Sequence, residues 1–199
     1  MISQFNPEEA TRLIRQRRSI FPNMYSEEPV SDEIIREMLE NANWAPTHRL
    51  TEPWRFVVFK GEGLKRYADF QAEMYRKTAE AAGNYDEAKF EKLSTKPLKA
   101  SHIIAIGMHR NEKELVPEVE EICSVAAAVQ NMYLSATAHG VGCYWTTGGT
   151  TFIEEAKPFF NLGEKDQLLG FLYVGNLKSD KWPQGRRKSI DEKVSWVTG

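Results

Sequence analysis

Apolar residues in this chain recur with two periods, and the switches between them divide it into elements. After Asn6-Pro7-Glu8-Glu9, Ala10, Leu13 and Ile14 fall on one helical stripe, with Arg17 at its far end. Asn6 can cap this helix, Pro7 fits its first position, and Glu9 can close a capping box. A second helix starts from Ser31 as cap and turns Ile34, Ile35, Met38, Leu39 and Ala42 inward. Pro46 ends it, because its ring disfavours helical backbone at the preceding residue. Trp54 to Phe59 reads as a buried strand, and Gly61 to Gly63 turns the chain. From Leu64 to about Ala82 the period is helical again, with Tyr67, Phe70, Met74 and Tyr75 as packing positions. Asn84 to Lys99 is charged and irregular, which predicts a second short helix and a mobile flap. Ile103 to Met108 is an apolar run bounded by polar residues, hence a strand.

Pro117 opens the most apolar helix. Val119, Ile122, Cys123, Val125 to Val129, Met132, Tyr133, Leu134, Ala136 and Ala138 cover nearly all its faces, and Gly140 is a natural C-cap. A helix apolar all round is buried. In a chain of 199 residues that predicts a central helix covered on one side by a partner subunit. Val141 to Trp145 is a strand that ends in Thr146-Thr147-Gly148-Gly149; Ile153 to Phe160 is a short helix, and Leu168 to Gly175 a long apolar strand. The elements lack the regular rhythm of a βαβ protein, so the expected class is α+β; an antiparallel or mixed central sheet flanked by helices fits, and we expect it to be mostly antiparallel. No repeat or low-complexity linker interrupts the chain, and residues 1–199 read as one domain.

Composition narrows the function. Apolar residues make up 41% and charged residues 27%, ordinary for a soluble globular protein. A net charge of -2 argues against a general nucleic-acid binder. No apolar run approaches the roughly 20 residues of a membrane helix. Met1-Ile2-Ser3-Gln4-Phe5 lacks the basic and apolar regions of a signal peptide, so the expected location is cytoplasmic. Cys123 and Cys143 fit no metal spacing and read as reduced, buried thiols. No GxGxxG follows a strand and no GxxxxGK[ST] occurs, so dinucleotide and P-loop folds lack support.

Three segments carry candidate chemistry. Arg17-Arg18-Ser19 sets two guanidinium groups beside a hydroxyl, which suits a phosphate because Arg donates in a planar fork to two oxygens. Taken alone, the pair also suits the solvated C-terminal end of a helix. Trp44-Ala45-Pro46-Thr47-His48 is a proline-broken loop with an imidazole, leading through Glu52-Pro53 into the strand. It suits a flat polar ring, or else is a plain surface loop. Arg186-Arg187-Lys188 near the C-terminus is a second basic segment, or a solvated tail. Its neighbours alternate sides in an extended chain, so the three cannot all face one phosphate.

Together these pieces resemble the nitroreductase family of flavin mononucleotide (FMN) enzymes. The resemblance rests on Arg17-Arg18-Ser19; on Ala45-Pro46 followed by Pro53-Trp54-Arg55-Phe56-Val57-Val58; on Gly140-Val141-Gly142 followed by Trp145; on Gly170 to Gly175; and on Arg186 to Glu192. Each motif is weak singly; in this order over about 180 residues they are specific. The short chain and His48, two residues after Pro46, are most similar to a small bacterial branch of the family. The resemblance implies an intertwined homodimer with FMN at the subunit interface, and ping-pong hydride transfer from NAD(P)H to a nitroaromatic, quinone or related acceptor. It also implies no catalytic side chain, since the flavin carries the chemistry. The implied cofactor residues are Arg17, Arg18, Ser19, Trp44, Pro46, Thr47, His48, Trp145, Thr146, Thr147, Gly148 and Arg187. The chain departs from the pattern at Glu52, where the family often has Gln or Asn, and at Thr146 and Trp44, where the branch usually carries Arg. The loss of these two cations implies either weaker FMN binding or a shifted flavin potential, or that Arg49 or Arg55 substitutes. The alternatives are a flavin-storing protein with little turnover, or a specialised dehalogenating or flavin-fragmenting member.

Overall fold

Four strands pair antiparallel in the order β1-β2-β4-β3: β1 (Trp54–Lys60), β2 (His102–Met108), β3 (Gly142–Thr146) and β4 (Gln167–Gly175). They belong to a computed structural model that describes residues 5–199. The reading of Met1 to Gln4 as free of a leader lies outside the described residues. Every residue of the central strand β2 is buried, so its apolar run is continuous where a half-exposed strand would alternate.

Helices cover both faces of the sheet. Against one lie α2 (Asp32–Asn43) and α5 (Glu118–Ala138), around Ile104, Ile106, Met108, Leu172 and Val174. Against the other lie α3 (Glu62–Ala81) and a 3₁₀ segment, Glu154–Phe160, around Ile103, Ala105, Phe171 and Tyr173. The caps match the expectation. Asn6 accepts from the N–H groups of Glu8 and Glu9 at the start of α1 (Pro7–Gln16), and Ser31 accepts from Ile34.

Two expectations need correction. Residues 84–99 carry more helix than a flap. Asp86 caps α4 (Glu87–Thr95), a 3₁₀ turn Lys96–Lys99 follows, and the Leu93 carbonyl takes a 2.6 Å bond from Gln71 Nε2 on α3. Cys143 is buried, as expected, and burial pushes its thiol pKa up; Cys123 is exposed. The helix expected to be covered on one side by a partner subunit, α5, is buried over only part of its surface within one chain. Val125, Ala128, Val129, Met132 and Ala136 face the sheet, while Val119 is 61% exposed. Nor does α1 bury any residue, leaving Ile14 exposed. No helix among the described residues is long and apolar enough to cross a membrane.

Candidate functional site

Tyr133, near the end of α5, joins two of the predicted segments. Its hydroxyl accepts the Trp145 N–H at 2.6 Å and faces the Ser19 side chain. The Arg17 guanidinium lies over the Tyr133 ring, 5.2 Å from its centroid. Ser19 pairs with Cys143 as an isolated parallel bridge, and Ile20 N–H donates to the Cys143 carbonyl at 2.8 Å. Arg17-Arg18-Ser19 and Trp145-Thr146-Thr147-Gly148 therefore form one surface beside β3. Burial raises the Tyr133 pKa despite the Trp145 N–H and Ser19, so the phenol stays protonated.

Within this surface the Trp145 ring is set by a bulge in β4. The β2–β4 register slips between Ile106 and Gly107, leaving Leu169 opposite no partner, and its carbonyl accepts the Trp145 indole N–H at 3.0 Å. Gly170 beside it has φ +116°, and a Cβ there would sit 2.4 Å from the Thr146 carbonyl oxygen. Only glycine allows both the backbone angle and the approach.

Arg18 is engaged differently from Arg17. Its Nε donates to the Pro183 carbonyl at 3.0 Å, and its Nη1 to the carbonyls of Arg15 and Arg17 at 2.6 and 2.7 Å. Gly185 passes so close that a Cβ would lie 2.3 Å from the guanidinium carbon. Arg18 thus holds the C-terminal segment, which continues to Arg187. That side chain is exposed and donates to the Arg186 carbonyl at 2.8 Å.

The loop after α2 lies elsewhere. His48 Nδ1 is 2.5 Å from Glu120 Oε2 on the first turn of α5, with both side chains about half exposed. Thr47 Oγ1 accepts the Glu52 N–H at 3.2 Å and shares a hydrogen with Thr51 Oγ1 at 3.1 Å. Trp44 is 78% exposed, its indole N–H on Glu40; Pro46 is exposed too. Arg49, Leu50 and Glu52 have φ of +53°, +53° and +43°. Such strain in non-glycine residues persists where surrounding structure enforces it, and it concentrates at functional sites. Arg55, one expected substitute cation, donates to the carbonyls of Glu52 and Trp54 and so braces this loop.

The structure does not bring all the predicted residues together in one chain. Glu120, under His48, and Tyr133, under Arg17, are thirteen residues apart on α5, or about 20 Å at 1.5 Å per residue. Sequence reasoning missed Tyr133 as the link, and also Phe21 and Lys96. The Phe21 ring is 4.6 Å from Tyr144, and the Lys96 ammonium lies 4.9 Å from Tyr144 and 5.2 Å from Tyr173. Tyr133 was hidden among the apolar residues of α5. Lys96 was hidden in an irregular charged stretch, with only Pro97 after it to mark a change of backbone.

The nitroreductase family model matches residues 14–176. The Escherichia coli (strain K12) protein named "Putative NAD(P)H nitroreductase YdjA" is 32% identical over 167 residues, 84% of this chain and 87% of that one. Among solved structures, a nitroreductase-like family protein from Bacillus cereus has a TM-score of 0.80 at 25% identity, covering 100% of both chains. A Desulfovibrio desulfuricans protein, described as a putative nitroreductase in complex with FMN, has a TM-score of 0.71 at 25% identity, covering 98% of this chain and 99% of that one. With the ordered motifs, the sheet they build and matches over most of its length, the chain belongs to the nitroreductase family.

Proposed function

We propose that this protein is an FMN-dependent NAD(P)H oxidoreductase whose sites form between two copies of the chain, residues 1–199 acting as one FMN-binding domain. The separation of the two residue groups along α5 carries this reading. Each group is half a site where it stands. A second copy, seated on the exposed apolar residues of α1 and α5, would set one copy's 44–50 loop against the other's Arg17–Ser19 and Trp145–Gly148. The FMN complex of the Desulfovibrio relative and the name of the Escherichia coli relative support the cofactor and the donor.

The donor set suits FMN. Arg17 and Ser19 offer a cation and a hydroxyl beside the Tyr133 ring, and no ion pair engages Arg17 among the described residues. In this reading Arg17, Ser19, Arg187 and any donor that Arg18 can free hold the phosphate. Trp145, Thr146, Thr147 and Gly148 meet the ring edge, and Trp44, Pro46, Thr47 and His48 of the partner subunit cover it. Bound FMN supplies the hydride chemistry. The Thr147 backbone N–H would stabilise negative charge at the ring edge. The chain has no second nucleotide fingerprint, so NAD(P)H and a nitroaromatic or quinone acceptor use the one open site in turn. Two unpaired thiols suit a reducing compartment, and we place the protein in the cytoplasm.

The absorption spectrum of freshly purified protein tests this. The expected result is a yellow protein with about one FMN per chain. NADPH or NADH should bleach it under argon and a quinone restore it, with parallel double-reciprocal plots. A colourless protein that takes up no added FMN would overturn the reading. A yellow protein that neither nucleotide bleaches would be a flavin store.

A further inference from the structure

A pocket of about 280 Å³ opens between α3, α4 and the end of β3. Its mouth carries Lys89, Lys92 and Lys96, spaced three and then four residues apart, so that they share one side of the α4 segment. Its inner wall is Tyr67, Gln71 and Tyr173, with Gln71 Nε2 donating to the Leu93 carbonyl. Gln71 is only 2% exposed. No carboxylate lines the pocket, and none of the three lysines enters an ion pair among the described residues.

Like charges this close repel, and burial together with Lys92 lowers the Lys96 pKa. Aromatic rings hold two of the ammonium groups in place without neutralising them. Lys89 lies 4.4 Å from the Tyr75 ring centroid, and Lys96 lies over Tyr144 and Tyr173. The arrangement is that of a site for an anion. The volume admits an oxyanion group or a pyrophosphate. Thr146 and Gly148 also line the pocket, so it borders the proposed flavin edge.

We propose that Lys89, Lys92 and Lys96 bind an oxyanion group, phosphate or carboxylate, carried by a substrate of the adjoining site. The proposal rests on the flavin reading for the identity of that substrate, though not for the anion site itself. Two sources share this chemistry: the phosphates of the dinucleotide donor and the carboxylate of an acidic acceptor. Lys89 and Lys92 are the residues to change, because both lie on α4, where alanine preserves helix.

The test uses the K89A/K92A double variant in two arms. In the first, titration calorimetry measures inorganic pyrophosphate binding to the purified protein, with R17A as a control for the other cationic surface. The expected result is binding weakened at least tenfold in K89A/K92A and much less in R17A. Wild type that binds no pyrophosphate, or that binds it no more tightly than K89A/K92A, overturns the proposal. This arm needs neither FMN nor turnover, so its failure is separate from failure of the flavin reading. In the second, KM is compared within two pairs: NADPH against reduced nicotinamide riboside, and 4-nitrobenzoate against nitrobenzene. A roughly tenfold rise for the charged member of one pair, with its neutral counterpart moved less than twofold, identifies the source. A change shared equally by charged and neutral members, or no change in either pair, overturns the assignment to a substrate.

Discussion

Arg17 and Arg18 are neighbours with different work. Arg17 lies over Tyr133 beside Ser19, while Arg18 is spent on the carbonyls of Arg15, Arg17 and Pro183. Arg17→Ala should therefore weaken FMN binding by roughly tenfold to a hundredfold, the worth of one charge-assisted contact at about 1.5–3 kcal/mol. Riboflavin, which lacks the phosphate, should lose far less; an equal loss for both would mean that Arg17 acts through the fold. Arg18→Ala should free the segment around Pro183, seen as faster proteolysis after Lys178 or Lys181. Gly170→Ala should cost about 2–4 kcal/mol in urea unfolding, since it combines φ +116° with a clash against the Thr146 carbonyl. By contrast, Thr150 is wholly buried and its Oγ1 has no partner among the described residues. Thr150→Val should leave the unfolding midpoint unchanged or raise it, by up to ~1 kcal/mol.

At the scale of elements, a polar network ties the loop after β2 to the first turn of α5. Glu121, fully buried, pairs with Arg110 and accepts the Asn111 N–H at 3.1 Å. Glu121→Gln keeps the shape and removes the charge opposite Arg110, so it should destabilise by ~3–5 kcal/mol in chemical denaturation. A second network pins the start of α2 to β2. The Val30 N–H donates to Ser101 Oγ at 2.8 Å, Ser101 Oγ meets His102 Nδ1 at 2.9 Å, and His102 Nε2 meets Asp32 Oδ1 at 3.3 Å. Burial lowers the His102 pKa more than Asp32 raises it, so the folded protein favours the neutral ring. The unfolded chain takes up a proton near pH 6.5, and the stability from His102 is lost as pH falls through that value. The urea midpoint should fall between about pH 7.5 and 5.5, and His102→Gln should flatten that slope. An unchanged slope would remove His102 from the account.

At the scale of the whole molecule, the exposed apolar residues of α1 and α5 and the divided site point to the same remedy. Two 22.8 kDa chains should associate, and light scattering at micromolar concentration should return the mass of a dimer. A stable interface buries on the order of 1,600 Å², which scattered surface residues do not supply, whereas a helix left uncovered along one side does. A monomeric mass would leave Val119 and Ile14 without a reason and the half-sites without each other.

Much of this was legible from the chain alone. The caps at Asn6 and Ser31, the four strands and the long apolar helix follow from local chemistry: side-chain acceptors for free N–H groups, and apolar runs that only burial accommodates. The candidate residues could be named because they lie in short contiguous motifs. Their relation in space could not. Tyr133 joins Arg17 to Trp145, and α5 keeps His48 apart from both, because a rigid helix sets distances between residues that no local pattern encodes. Cys123 could not be told from Cys143, since the exposure of an apolar helix face depends on which face the sheet takes. The lysine pocket is also a tertiary product. Its residues come from α3, α4 and β3, and the ammonium groups are held by rings distant in sequence, so charge and spacing along the chain showed only an irregular polar stretch.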